Sequence, residues 1–255
     1  ILLCAFSPML SWKRAKLENI LERVIAVFIL SILSTAILVF IYGGSASAFL
    51  GLFLGVWLIL GTIYEFLIKV GLKLSFHTFL KRSLQLPRSA YGMSLAHIGV
   101  AIFVIGVTVS SAWKIEIEQP IIKGEKVVIN SIELKFLNIN NVEGPNWIAE
   151  RGEFEVVRLG KKKEFLYPER RFYPASKINT SEPAIMSNAF FDLYIVLGES
   201  LNNDESYSLR VYYSPFINWI WFGIMCMVLG GLLSVSDRKH RLGYSMKLNP
   251  ETSNK

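Results

Sequence analysis

At 255 residues, 52% of them hydrophobic, and with a mean hydropathy of +0.41, the chain is too apolar for an ordinary soluble domain. It is long enough for a membrane bundle plus one small domain. The net charge of +7 is no nucleic-acid footprint, because the excess Lys and Arg flanks apolar segments instead of covering one polar face. Two cysteines, Cys4 and Cys226, lie far apart in apolar segments without a C-x-x-C motif. That argues against a thiol oxidoreductase, a covalently attached haem and a structural zinc site on this chain. No G-x-G-x-x-G or phosphate loop occurs.

Ile1 to Leu10 is apolar, lacks the basic start of a signal peptide and reads as the cut end of an earlier span, which makes the chain the C-terminal part of something longer. The basic stretch Ser11-Trp12-Lys13-Arg14-Ala15-Lys16 follows. Val24 to Tyr42 carries no charge and predicts a first membrane span. After the turn Gly43-Gly44-Ser45-Ala46-Ser47, Phe49 to Ile68 predicts a return span. Its one charge, Glu65, is expected at the interface because it lies near the end, a buried proton-carrying carboxyl being the sharper alternative.

From Lys69 the pattern turns amphipathic. Leu72, Phe76, Phe79, Leu80 and Leu84 make one helical face, and Lys69, Lys73, His77, Lys81 and Gln85 the other. This predicts an interfacial helix over residues 69–86 on an anionic leaflet, with His77 on its wet side, broken by Pro87. Tyr91 to Trp113 is the third predicted span and closes the helical region 1–113. It carries His97, roughly 9 Å in along the axis from Tyr91. At 100° per residue, Gly92, Ala96, Gly99 and Gly106 share a side open to a close helix neighbour. His97 shares the opposite face with Ala90, Met93, Ala101, Val104 and Thr108, a row of short side chains with room for a planar cofactor. From the residues alone, an intramembrane imidazole is explained first by a helix-to-helix hydrogen bond or a proton relay, and after these by ligation of a metal or cofactor.

Residues 114–214 are polar and alternate at period two, which predicts a small β domain. Strands are expected over Lys114–Ile122, Lys126–Asn130, Ile132–Leu137, Glu153–Leu159, Asp192–Leu197 and Tyr207–Tyr213. Gly160-Lys161-Lys162-Lys163 reads as a hairpin tip, and Asn179-Thr180-Ser181 matches a glycosylation acceptor only by a short pattern. Residues 215–255 supply the last span, Phe216 to Val235, and a basic tail containing His240. The basic segments flank the spans on one side, while the Gly43 turn has none. The positive-inside rule therefore puts them in the cytoplasm, the β domain outside, and His97 near the cytoplasmic side.

An ordered set of motifs resembles the CcmF family, the haem lyase component of cytochrome c maturation, over its C-terminal part. The set comprises Gly92-Met93-Ser94-Leu95-Ala96-His97-Ile98-Gly99, Gly144-Pro145-Asn146-Trp147, Tyr167-Pro168-Glu169-Arg170-Arg171-Phe172-Tyr173-Pro174, Asp192-Leu193-Tyr194, Leu197-Gly198-Glu199, Arg210-Val211-Tyr212-Tyr213-Ser214-Pro215-Phe216 and Trp219-Ile220-Trp221-Phe222-Gly223. The resemblance implies a polytopic α-helical membrane protein with an extracytoplasmic all-β domain before the last span. It also implies that His97 is an axial ligand of a b-type haem, with a partner histidine outside this chain. In the family's proposed mechanism this haem, supplied with electrons thought to come from quinol, reduces haem delivered by the chaperone CcmE for attachment to apocytochrome c. Implied partners are the N-terminal part of the same haem lyase, CcmE, a CcmH-type thiol protein, apocytochrome c and membrane lipid, with no nucleic acid. The implied location is a bacterial inner membrane with the β domain periplasmic, or a mitochondrial inner membrane with the domain in the intermembrane space.

Ser181-Glu182-Pro183-Ala184-Ile185 departs from the family's expected Thr-Glu-Ala-Ala-Ile, and Pro183, which cannot donate to a ladder, predicts a loop there. The cluster Tyr167, Arg170, Arg171, Phe172 and Tyr173 is read either as a contact for propionates or a partner protein, or as packing of the sheet on the membrane surface. Two functional readings stand beside each other: a redox subunit with His97 as ligand, and a non-redox scaffold whose β domain recruits assembly partners. A transporter half ranks below both, because no span is broken by proline at mid-membrane.

Overall fold

The computed structural model describes residues 17–71, 75–158, 163–201 and 206–237, with side chains from Val24 onward. Cys4, the first basic stretch, Gly160-Lys161-Lys162 and the tail with His240 lie outside these residues. The chain divides into a helical unit, residues 1–112 and 219–255, and a β unit, residues 113–218.

The helical unit contains α1 (Leu17–Tyr42), α2 (Ala46–Val70), α3 (Phe76–Leu84), α4 (Arg88–Ala112) and α5, which starts at the end of the β unit (Ile217–Val235). Four of these, Val24–Tyr42, Ala46–Val70, Arg88–Ala112 and Ile217–Val235, are long and apolar enough to cross a membrane. Gly43, at φ +70°, makes the first turn possible. The Ser45 hydroxyl then caps α2 by accepting the Ala48 N–H at 3.3 Å. Phe28 meets Phe53 and Trp57 edge-on at 5.3 and 5.4 Å, holding α1 to α2.

The helix expected over 69–86 is shorter than its apolar pattern suggests. Lys69 belongs to the last turn of α2. That helix stops at Gly71, whose φ of +114° is closed to other residues and whose N–H bonds the Leu67 carbonyl at 2.8 Å. Only Phe76–Leu84 remains as the amphipathic α3. Phe76 and Leu84 are 81% and 75% exposed on its apolar stripe, while His77 is exposed beside them.

Glycines set the packing of α4. A Cβ on Gly92 would lie 2.5 Å from the Gly230 carbonyl oxygen, and one on Gly99 2.7 Å from that of Gly223, so α4 and α5 touch backbone to backbone. Gly51 and Gly55 of α2 instead make room for the side chains of Thr108 and Ile105. Thus α4 is clasped between two helices.

The β unit is a sandwich of antiparallel strands. One sheet has the order β1 (Ile115–Ile122), β10 (Ser206–Pro215), β9 (Phe191–Leu201), β8 (Ala184–Ser187). The other has the order β2 (Lys126–Ile129), β3 (Ile132–Glu143), β4 (Ile148–Arg158), β6 (Glu169–Tyr173), β7 (Ile178–Glu182), with β5 (Glu164–Leu166) also on β4. Alternate residues point inward from both sheets, so Leu134, Phe136, Phe154, Val156, Leu193, Ile195, Leu197, Leu209 and Val211 make one core. Asn130 and Ser131, both at positive φ, form the two-residue turn between β2 and β3. The expected strand ending at Asn130 therefore ends one residue earlier. The expected strands at Ile132–Leu137 and Glu153–Leu159 extend further at their 138 and 153 ends, because Asn138 to Asn141 still pair with Glu150 to Glu153; Leu159 lies outside the described residues. Four short strands, β5 to β8, were not marked by alternation. Pro183 sits between β7 and β8, which belong to different sheets, so the expected loop contracts to the single residue at which the chain changes layer.

Candidate functional site

His97 lies in the second turn after Gly92 of α4 and is half-buried. Its Nδ1 is 2.8 Å from the carbonyl oxygen of Met93, one turn earlier. A carbonyl only accepts, so Nδ1 carries a proton, which in the neutral tautomer leaves the lone pair on Nε2. Among the described residues Nε2 makes no hydrogen bond. This is the arrangement by which a second group fixes the tautomer and aim of an imidazole that binds a metal. No three His, Cys, Asp or Glu side chains cluster among the described residues, so His97 would act as a single ligand.

The face around His97 is partly occupied. Ala101 is fully buried and belongs to the cluster with Val27, Phe53, Trp57 and Leu58. Thr108 abuts Gly51, and its hydroxyl donates to the Val104 carbonyl at 2.7 Å. The row expected to leave space is therefore closed by α2 on its C-terminal side. It opens on the N-terminal side, where Ala90 and Met93 line an open pocket of about 530 Å³ together with Lys69, Leu86, Pro87, Ser89 and Ser234. An imidazole with Nδ1 already satisfied, one turn beyond Met93 of a largely apolar recess, is a donor of the kind that could hold a planar iron cofactor.

Glu65, expected at the interface, is instead only 6% exposed. Its Oε1 lies 2.5 Å from Lys69 Nζ, while Oε2 is buried without a hydrogen-bond partner among the described residues. A signal for this was present in the sequence. Gly61, Thr62 and Glu65 share one helical face, and a face with small residues is one a neighbouring helix covers.

In the β unit, the cluster around Tyr167 to Tyr173 is organised by Glu169. Its carboxylate accepts from Arg151 Nε at 2.6 Å and from Arg171 Nε at 2.8 Å. Arg171 stacks 4.4 Å from the centre of the Trp147 ring. Arg170 is shared between Glu150 at 3.4 Å and Glu199 at 3.5 Å, the latter on the opposing sheet. Burial of Glu169 opposes its ionisation, but the hydrogen bonds and charges of Arg171 and Arg151 outweigh it and hold the carboxyl below its ordinary range. The arginines are thus committed to carboxylates within the sandwich, while Tyr167 and Phe172 remain exposed.

Residues 112–215 match the family described as the CcmF C-terminal beta-sandwich. The cytochrome c-type biogenesis protein CcmF of Haemophilus influenzae is 35% identical over 248 residues, covering 96% of this chain and 38% of that protein. CcmF of Escherichia coli is 31% identical over 253 residues, covering 98% of this chain and 37% of that protein. The chain therefore spans well under half the length of these relatives. A solved structure, cytochrome c heme lyase CcmF, superposes with a TM-score of 0.69 at 21% identity over 92% of this chain and 38% of its own, which supports the fold.

Proposed function

The chain belongs to the CcmF family of cytochrome c-type biogenesis proteins, and we propose that it supplies one axial ligand, His97, to a b-type haem within a cytochrome c haem lyase. The observation that carries this is the Met93 carbonyl on His97 Nδ1, which leaves Nε2 as the ligating atom. When bound, such a haem would supply one-electron transfer, with His97 of this chain as one ligand and a histidine from outside this chain as the other.

The residues of this chain have defined tasks in that proposal. Met93 fixes the tautomer and orientation of His97. The glycine contacts with α2 and α5 hold α4 rigid, so the imidazole keeps its aim. The surrounding apolar side chains exclude water, which favours controlled electron transfer over side reactions. The partner histidine, the chaperone CcmE, a CcmH-type thiol protein, apocytochrome c and a quinol electron source belong to the whole assembly, with the β unit on the extracytoplasmic side of an inner membrane. In that scheme the reduced haem lyase delivers an electron to the iron of incoming haem, which is then joined to the thiols of apocytochrome c.

The test is a reduced-minus-oxidised absorption spectrum of this chain co-purified with the rest of the haem lyase, native against His97→Ala. Loss of a low-spin b-type signal from an assembled complex is expected. An undiminished signal would overturn the ligand assignment.

A further inference from the structure

We infer that Lys69 anchors a propionate of the haem ligated through His97, and that Glu65 is the positioning residue that holds its ammonium in place; this rests on the haem-ligand reading above. Ala90, Met93 and His97 recur at three and four residues and so share one face of α4. The pocket lined by Ala90 and Met93 thus lies on the face of α4 that carries His97, toward the N-terminal end of the helix and one turn short of the imidazole, which does not itself line it. Among the described residues Lys69 is the one charged side chain lining that recess; Leu86, Pro87, Ala90 and Met93 make its apolar wall. An apolar wall with one cation at its edge suits a flat apolar ligand bearing a carboxylate.

Glu65 explains why the cation stays there. An ammonium on the last turn of a membrane helix would otherwise turn out to the wet interface. The buried Glu65 carboxylate one turn back holds it at 2.5 Å. An ammonium has three donors, so two remain for a further acceptor. Because the pair is neutral as a whole, it does not concentrate small anions by charge alone, and selection falls to the apolar wall.

The experiment uses the complete haem lyase complex carrying Lys69→Gln, Lys69→Arg or His97→Ala, with assembly checked by co-purification. Lys69→Gln is expected to keep the low-spin spectrum, lower the haem midpoint potential, and speed haem loss to an apo-globin scavenger roughly tenfold, the usual weight of one charge-assisted hydrogen bond. The potential falls because a positive charge that disfavours the ferric state has been removed. Lys69→Arg should restore both properties. If Lys69→Gln does not assemble, the unmutated complex loaded with haem dimethyl ester serves instead and should release it faster than ordinary haem. Unchanged potential and release in Lys69→Gln, or equal release of ester and free acid, overturns the proposal. So does a loss of co-purified anionic phospholipid with the haem properties intact. In each of these cases a vanished signal in His97→Ala leaves the ligand reading standing, whereas a retained signal there removes the ligand reading itself.

Discussion

Ser89 and Asp237 are joined across the helical unit: the backbone N–H of Ser89, in the first turn of α4, donates to Oδ2 of Asp237, just beyond α5, at 3.0 Å. A carboxylate brought from 148 positions away thus does the work of an N-cap. It also places negative charge at the positive end of the α4 dipole. Replacing Asp237 with Ala should cost about 1 kcal/mol of stability and raise amide exchange at Ser89. Asp237→Asn, which keeps an acceptor, should lose less. Hydrogen exchange and thermal unfolding in detergent check both.

Adjacent glycines of α5 should behave oppositely. A Cβ on Gly230 would lie 2.6 Å from the Gly92 carbonyl and the Ala96 N, whereas one on Gly231 meets nothing within 4 Å. Gly230→Ala should therefore destabilise the α4–α5 contact by about 1–3 kcal/mol. Gly231→Ala should be neutral or slightly stabilising, because Ala favours a helix more than Gly does. Thermal denaturation of the two variants separates them.

Glu169 gives the β unit a pH-dependent contribution. Its folded pKa lies below the ordinary 4.5, so at acid pH the unfolded chain takes up a proton before the folded one does. The stabilisation is complete at neutral pH, begins to fade as the pH drops to about the ordinary value, and is lost once the pH passes below the folded value. Glu169→Gln should cost about 1 kcal/mol near pH 7. The gap between variant and native should close as the medium is acidified below pH 4.5. Denaturant midpoints across pH measure it.

The membrane spans were legible because an uncharged stretch such as Val24 to Tyr42 has few alternatives to a bilayer. The sandwich was legible where one strand face is buried, as in Asp192 to Leu197. Strand β6 was hidden because Glu169 is satisfied by Arg171 of its own strand and Arg151 of β4, so a polar side chain occupies a position that alternation assigns to a core; β5, β7 and β8 are only three to five residues long, too short for a period of two to stand out. The end of α2 was obscured because the apolar spacing from Lys69 to Leu84 runs on through Gly71, where backbone conformation, not side-chain pattern, ends the helix. At the site, His97 stood out as a polar ring in an apolar span. Its tautomer did not, since that depends on a carbonyl, a group every residue carries. The burial of Glu65 was marked only by the small neighbours Gly61 and Thr62 on its face, a weaker signal than its place near the end of the span, which pointed to the interface.

Electron paramagnetic resonance of the oxidised haem lyase complex, native against His97→Met, reads the iron's axial ligands. The account predicts a low-spin ferric signal of bis-histidine type in the native complex, replaced in the variant by a signal of different ligation while the complex remains assembled. The same signal in both would contradict it, since an iron held by the Nε2 of His97 cannot keep its ligand field when that imidazole is gone.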